Sequence, residues 1–373
     1  MSKRRAAWGL KRLNPYPVAL TPTLFRAVAR WRTMGCVTGP DVLYRYRSAI
    51  EREVSLALPR SDSPLEEMLR FQLGWTDEGL PTLAKGIRPT FCLLACESLG
   101  GEIDQCLPVA VAVELVHNFS LIHDDIEDGD ELRHNRPALW HAYGRGPAVL
   151  SGIALWTIAY QTLDRAHERG LPAERVLAAR RVLNNACLQM IEGQHQDLTY
   201  ELRTDVTLAE YIEMIGNKSA ALLGASLHLG ALVAGANDED CARFAGFGRE
   251  AGLAFQIRDD LLGIWGEGSA TGKPVGADIA RKKKTLPVVH AFQQVMGPDR
   301  DALRSVYAKD SVDDDDVECV LDVLQRWNCR YFAQGLAEDY RSRAMDALSR
   351  TPIPPESRRG FDELASFILE RDY

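Results

Sequence analysis

Apolar residues recur every three or four positions along most of the chain, the period of one helix face. Stretches near 65–73, 89–99, 108–124, 149–168, 174–197, 208–234, 240–264, 284–295, 316–348 and 358–370 carry this period, and each predicts a helix. The two-residue alternation of a half-buried strand is nearly absent. The punctuation is helical as well: Gly39–Pro40, Gly146–Pro147, Pro172 after Gly170–Leu171, and "TPIPPES" over 351–357 before a last helix. No long internal repeat stands out, and no Ser- or Gly-rich linker divides the middle. The expected fold class is all-α. A basic N-terminal arm and first helix (1–60) precede a single helical domain (61–373) and pack on it.

Composition changes this picture little. With 46% apolar and 26% charged residues, the 373-residue chain has the balance of a soluble globular protein. A formal net charge of −8 excludes general nucleic-acid binding, which needs a basic footprint. None of the eight cysteines forms a C-x-x-C pair, and Cys92 and Cys96 share one face of an apolar helix, where thiols pack as small core groups. Neither a disulfide scaffold nor a zinc site is expected, and a reducing cytoplasm fits best.

Three segments are unusual. The first forty residues hold eight Lys or Arg and no acid, with no apolar core of a secretory signal. They predict a flexible or surface-packed arm, with weak attraction to anionic lipid headgroups as the sharper alternative. "SAALLGASLHLGALVAGA" (219–236) has the length and hydropathy of a marginal membrane span, but its Ala/Gly content and central His228 suit a buried helix, so no transmembrane span is expected. "DSVDDDDVE" (310–318) reads as the solvated start of a helix, where acids complement the dipole.

The chemistry lies where apolar helices end in acids. In "LVHNFSLIHDDIEDGDELRHNRP" (115–137), six of the eight residues from Asp124 to Glu131 are carboxylic acids. On a helix, Asp124 and Asp128 share a face, with Asp125 to the side. Mg²⁺ takes one or two carboxylates together with waters and substrate phosphates, so this spacing suits it. A calcium loop started at Asp124 fails, because Ile126 and Asn135 stand where oxygen ligands are needed. A second pair, Asp259–Asp260 in "LAFQIRDDLLGIWG", ends another helix too apolar to be exposed. Either pair alone would read as a solvated helix end; two such pairs suit acidic walls facing across a helical cavity, bridged by Mg²⁺ that would hold a diphosphate. Arg133 and Arg136 follow the first cluster, Lys218 sits in "GNKSAALLG", Lys273 and Lys283 follow the second cluster, and Lys85 and Arg88 lie in "LAKGIRPTF". With no P-loop or G-x-G-x-x-G present, a phosphate ester of an apolar compound is indicated rather than a nucleotide.

"KGIRP" (85–89), "ELVHNFSLIHDDIED" (114–128), "RHNRP" (133–137), "GQHQDL" (193–198), "GNKS" (216–219), "FQIRDD" (255–260) and "TGKPVGADIARKKKTLP" (271–287) resemble, in order, the motifs of the trans-isoprenyl (polyprenyl) diphosphate synthases. The resemblance runs from about Leu83 to the C-terminus and is strongest to geranylgeranyl diphosphate synthase-like members. It implies an isoprenoid synthase-type helical bundle around a deep central cavity, usually a homodimer. The implied reaction couples an allylic diphosphate to isopentenyl diphosphate.

By position in those motifs, Asp124 and Asp128 are expected to bind two Mg²⁺ ions and Asp259 a third, with Asp125 and Asp260 in support. Arg133, Lys218, Ser219, Gln256, Lys273 and Lys283 are expected at the allylic diphosphate. Lys85, Arg88, His117 and, in place of a second Arg, His134 match the isopentenyl diphosphate site. Phe119 and Ser120, the fifth and fourth residues before Asp124, occupy the chain-length positions, and one aromatic at the fifth resembles synthases that stop at C20. His123, Trp140, Trp156 and Trp265 are read as packing, and Glu127, Asp130 and Glu131 as solvated neighbours.

The chain departs from the family pattern at Gly86 for an Arg, at His134, and at Gly263 for the third Asp of the second acidic motif. Ile153 replaces the common Asp after Gly152, and Ser219 the usual Thr. These losses leave open a class I terpene cyclase on the same fold, or a non-catalytic regulatory subunit. The intact first motif argues against a dead subunit, and the surviving Lys85, Arg88 and His117 argue against a pure cyclase.

Overall fold

The computed structural model describes residues 40–59, 63–74, 86–133, 136–266 and 275–369. The basic arm, together with Lys85, His134 and Lys273, lies outside the described residues. Residues 40–373 form one compact unit. In chain order, α1 (Asp41–Ala57), α2 (Pro64–Gln72), α3 (Ile87–Ser98) and α4 (Ile103–Asp128) lead to a minimal ribbon of β1 (Leu132–Arg133) and β2 (Arg136–Pro137). There follow α5 (Leu139–Tyr143), α6 (Arg145–Glu168), α7 (Ala173–Tyr200), α8 (Leu208–Ile215), a π turn (Gly216–Ala220), α9 (Ala221–Ala234) and α10 (Asp238–Trp265). The last six helices are α11 (Ala277–Ala280), α12 (Leu286–Gln294), α13 (Gly297–Ala308), α14 (Asp314–Arg326), α15 (Cys329–Arg350) and α16 (Pro355–Leu369).

Two helices are central because they are apolar on every side. Every residue of α4 from Pro108 to Val116 is buried, as are eleven of the fourteen residues of α9. An element apolar all round can only be covered by neighbours: α4 packs against α3, α6 and α9, and α9 against α3, α7 and α10. Helix α4 is long and apolar enough to cross a membrane, but 67% of its apolar window is buried inside the protein. The stretch read as a marginal span becomes part of the π turn and α9, buried as expected. Cys92 and Cys96 are core residues. A second, smaller core under α11 to α15 gathers Ile264, Ile279, Val288, Leu303, Val320 and Leu324.

Three elements differ from the sequence reading. The predicted helix 208–234 is interrupted by the π turn, and 316–348 is two helices, broken where Asn328 takes φ 52°. Helix α13 carries too few apolar positions, chiefly Leu303, Val306 and Tyr307, to stand out by period. The acidic run does start a helix: Asp313 and Asp316 form a capping box before and within α14. Asp316 is not solvated, however; it is buried and paired with Lys309 at 2.6 Å.

Candidate active site

The C-terminal end of α4 projects its acids into a set of cations drawn from three later segments. Arg133, on β1, donates Nε to Asp125 Oδ1 at 2.7 Å and Nη2 to Asp124 Oδ2 at 2.9 Å. Lys218, on the π turn, donates to Asp197 Oδ2 of α7 at 2.5 Å and lies 3.3 Å from Asp124 Oδ1. Lys283, in the loop before α12, donates to Asp128 Oδ2 at 2.6 Å. Arg281 pairs with Asp130. Asp130 is therefore buried and bridged rather than solvated, whereas Glu127 and Glu131 are exposed as expected. The carboxylates that repel one another in sequence are paired with lysine and arginine.

Local backbone chemistry aims these groups. A π turn places one residue more than the helical count, and such turns recur at functional sites; here it presents Lys218 and Ser219. Gly193 on α7 makes this possible, since a Cβ there would lie 2.7 Å from Lys218 Cα. The run "ARKKKTLP" is not a mere charged loop: Lys282 donates to Lys309 O at 2.7 Å, and buried Lys284 donates to Glu201 O at 3.0 Å.

The second acidic pair, on α10, lines a cavity that Lys218 and Lys283 also reach. A cavity of about 110 Å³ is lined by Asp259, Asp260, Asp278, Lys218, Lys283 and Gln256, among others. Lys218 and Lys283 therefore belong to both acidic clusters. Asp260 is a structural hub: it accepts from Tyr211 Oη at 2.6 Å, from the Leu286 N–H at 2.8 Å and from Gln256 Nε2 at 3.2 Å. Ser219 Oγ donates to Gln256 Oε1 at 2.6 Å. Asp259, beside it, has no such framework.

Electrostatics divides the acids. Burial pushes the Asp124 carboxyl up, but Lys218, Arg133 and Lys283 outweigh it and hold the group down at about 2. Burial raises Asp125 to about 6 against its Arg133 partner. Burial, with repulsion from Asp260 and Asp278, raises Asp259 to about 7. Asp260 is also raised to about 7, by burial that its hydrogen bonds only partly offset. Despite burial, Lys218 is shifted up by Asp197, Asp124 and Asp128, so it stays charged.

Behind this cleft, Arg88 of α3 and His117 of α4 stand 3.1 Å apart (Nη1 to Nε2). Buried Glu114, which accepts from Asn118, adds to the charge around Arg88. Arg136 lies elsewhere, donating to Phe71 O at 2.8 Å. Phe119 is half-buried against His123, ring centroids 4.8 Å apart, and a Cβ on Gly152 of α6 would come within 2.6 Å of that histidine. Ser120 turns its hydroxyl back onto His117 O at 2.7 Å. Trp140 packs as expected and bonds Asp130 O at 2.8 Å, but Trp156 is 40% exposed on α6.

Sequence reasoning missed Asp197, Tyr211, Asp278 and Lys284. Asp197 was visible within "GQHQDL", Asp278 within "GADIA" and Lys284 within the lysine run, each without an assigned partner. Tyr211 gave no signal beyond an apolar position on α8.

The donors fit a hard divalent cation. All the acidic groups are oxygen donors, and Asp124 Oδ1 is buried without a hydrogen bond, its contact to Lys218 being an ion pair only. Among the described residues no three His, Cys, Asp or Glu side chains converge into a protein-only cage. Mg²⁺ held by one or two carboxylates plus substrate phosphate is the case that matches.

The apolar helical bundle and its acid-and-lysine cleft define the isoprenoid synthase class of helical enzymes. The polyprenyl synthetase family profile matches residues 78–324, and the chain belongs to that family, which makes it a trans-prenyltransferase. It is 37% identical to a (2E,6E)-farnesyl diphosphate synthase of Mycobacterium tuberculosis over 322 residues, 84% of this chain and 88% of that protein. A geranylgeranyl diphosphate synthase of the same organism is 42% identical over 259 residues, 68% of this chain and 73% of that protein. Among solved structures, a polyprenyl synthetase from Streptomyces coelicolor A3(2) superposes with a TM-score of 0.78 at 34% identity, covering 88% of this chain and 99% of that one.

Proposed function

We propose that the protein condenses isopentenyl diphosphate with an allylic diphosphate to make a linear all-trans prenyl diphosphate, with geranylgeranyl diphosphate (C20) as the product. The observation that carries this reading is the pairing of two cationic sites. One is the cleft where Lys218 and Lys283 serve both acidic clusters; the other is Arg88 with His117 behind it. A cyclase needs only the first, whereas condensation needs a place for a second diphosphate.

Asp124 and Asp128 would hold two Mg²⁺ ions and Asp259 a third, with Asp125 and Asp260 in support. The metal supplies Lewis-acid stabilisation of the charge that develops on the departing pyrophosphate. Arg133, Lys218, Ser219, Gln256, Lys273 and Lys283 orient the allylic diphosphate. Because Lys218 and Lys283 already sit in the cleft, stabilising the leaving group needs little reorganisation. Lys85, Arg88, His117 and His134 hold isopentenyl diphosphate. The apolar walls of α4 and its neighbours exclude water from the allylic cation. The C=C bond of isopentenyl diphosphate attacks that cation, and a proton is then lost to the pyrophosphate.

Phe119, stiffened by His123, is the floor that limits the chain. The relatives include farnesyl, geranylgeranyl and geranylfarnesyl diphosphate synthases, a range that contains the proposed length. The buried free thiols suit the reducing cytoplasm. The protein acts as a homodimer through an outer face of α6 and α7, where Leu150, Ile153, Trp156, Leu188 and Ile191 are exposed. Incubation with Mg²⁺, isopentenyl diphosphate and each allylic diphosphate, followed by identification of diphosphate and hydrocarbon products, tests the reading. Hydrocarbon formed without isopentenyl diphosphate would replace it with the cyclase, and activity only with a partner protein would replace it with the regulatory subunit.

A further inference from the structure

Two ion pairs join the end of α4 to the segment that carries Lys283. Asp128 accepts from Lys283 Nζ at 2.6 Å, and Asp130, two residues on, pairs with Arg281, two residues back. The partners thus run in opposite order along two segments that are distant in sequence. The pairs differ in what a ligand would do to them. In the proposed reaction Asp128 turns to metal and Lys283 to diphosphate, so the first pair gives way. Asp130 and Arg281 are assigned to neither, and nothing in that exchange opens their pair.

Both ends of the second pair are held by the backbone. The Asp130 N–H donates to Asp125 O at 3.0 Å, and Asp130 O accepts from Trp140 Nε1 at 2.8 Å. Arg281 closes α11 by donating its N–H to Ala277 O at 3.3 Å. Beside it Lys282 takes φ 56°, a conformation that a residue with a side chain rarely adopts, and its Nζ donates to Lys309 O at 2.7 Å. The Lys283 N–H then returns to Asp278 O at 3.0 Å. Arg281 and Lys283 therefore share one tight turn, and what fixes the first fixes the second. Lys283 needs such a hold, because Lys218 lines the same cavity and repels it.

We propose that the Asp130–Arg281 pair is a clasp that keeps Lys283 at the allylic diphosphate once Asp128 has gone to metal. Arg281 is then a positioning residue, acting through Lys283 without touching substrate. This deepens the proposed function and rests on its diphosphate reading.

Calorimetric titration of the full chain with inorganic pyrophosphate at saturating Mg²⁺ reads the clasp without turnover. Arg281→Gln and Asp130→Asn are each expected to weaken binding by about 10-fold, the lower end of the range for groups that orient ligands, because the pair is only partly buried. Asp130→Asn/Arg281→Gln is expected to lose no more than either single variant, as two residues acting as one would. Arg281→Lys, which keeps the charge, is expected to keep most of the affinity. The Asp130→Asn arm separates the clasp from a plain charge effect. It removes a negative charge near the bound anion, so charge alone would tighten binding, whereas a lost clasp weakens it. Thermal melts by circular dichroism establish that each variant is folded. Wild-type or tighter binding in Asp130→Asn would overturn the inference, and with a weak Arg281→Gln it would make the guanidinium a direct ligand of the diphosphate. Wild-type affinity in Arg281→Gln, or a double variant weaker than both singles, would overturn it as well. Wild-type protein that binds no pyrophosphate with Mg²⁺ would instead overturn the diphosphate reading, and the inference with it.

Discussion

Arg133 neutralises two carboxylates at once, and one of them is buried. Asp125 has only 2% of its side chain exposed, and Arg133 has 24%. Removing one partner of such a pair leaves an uncompensated charge, a loss of about 3 kcal/mol or more. Arg133→Ala should therefore lower unfolding free energy by about that amount in urea titrations, and a change under about 1 kcal/mol would mean that solvent already screens the pair. The second motif behaves in the opposite way. Asp259 and Asp260 are raised to about 7, so between the ordinary carboxylate range and pH 7 the folded protein holds protons that the unfolded chain has released. Their contribution to stability is full below about pH 4 and is lost as pH rises toward 7. In the absence of Mg²⁺, the Tm of Asp259→Asn relative to wild type should accordingly rise from pH 5 to pH 8. A constant difference would place Asp259 in a more solvated setting.

Helices are where the sequence was most legible and where its limits are clearest. The long periodic stretches became α4, α6, α7 and α10, and Lys218 and Lys283, which pair with acids at the end of α4, line the cavity that Asp259 and Asp260 line from α10. Period alone could not find the π turn, because inserting one residue into a helix leaves the apolar count almost intact. Nor could it find the break at Asn328, where a left-handed residue turns the chain without a glycine or proline. The first acidic cluster read as a place for metal charge; Arg133 of β1 follows it closely, but the lysines that pair with it come from the π turn and the loop before α12, far away in sequence. Pairings across 21 to 155 residues, such as Lys218–Asp197 and Lys283–Asp128, leave no periodic trace. On α4, Phe119 lies a turn and a half before Asp124, and Gly152 of α6 leaves room for the histidine that backs it. Phe119→Ala should lengthen the product by at least one isoprene unit, read by mass spectrometry of the diphosphates; unchanged length would assign the floor to another residue.

At the scale of the whole molecule, a helical bundle of the isoprenoid synthase type was expected and found. What stands out from that bundle is the outer face of α6 and α7. Leu150, Ile153 and Trp156 of α6 and Leu188 and Ile191 of α7 are exposed, and exposed apolar side chains that form one patch mark an interaction surface. Light scattering should give twice the chain mass for the wild type, and Ile153→Asp with Leu150→Asp should shift it toward the monomer. A monomeric wild type would leave this face to another partner.

The central claim is that two diphosphates meet in one helical cavity and that a carbon–carbon bond joins their chains. Carbon-13-labelled isopentenyl diphosphate, given with Mg²⁺ and unlabelled farnesyl diphosphate, tests it most directly by mass spectrometry of the products. The account predicts a single C20 diphosphate carrying one labelled five-carbon unit, and its loss in Asp124→Asn. Unlabelled hydrocarbon as the only product, or no product from the folded protein alone, would contradict it.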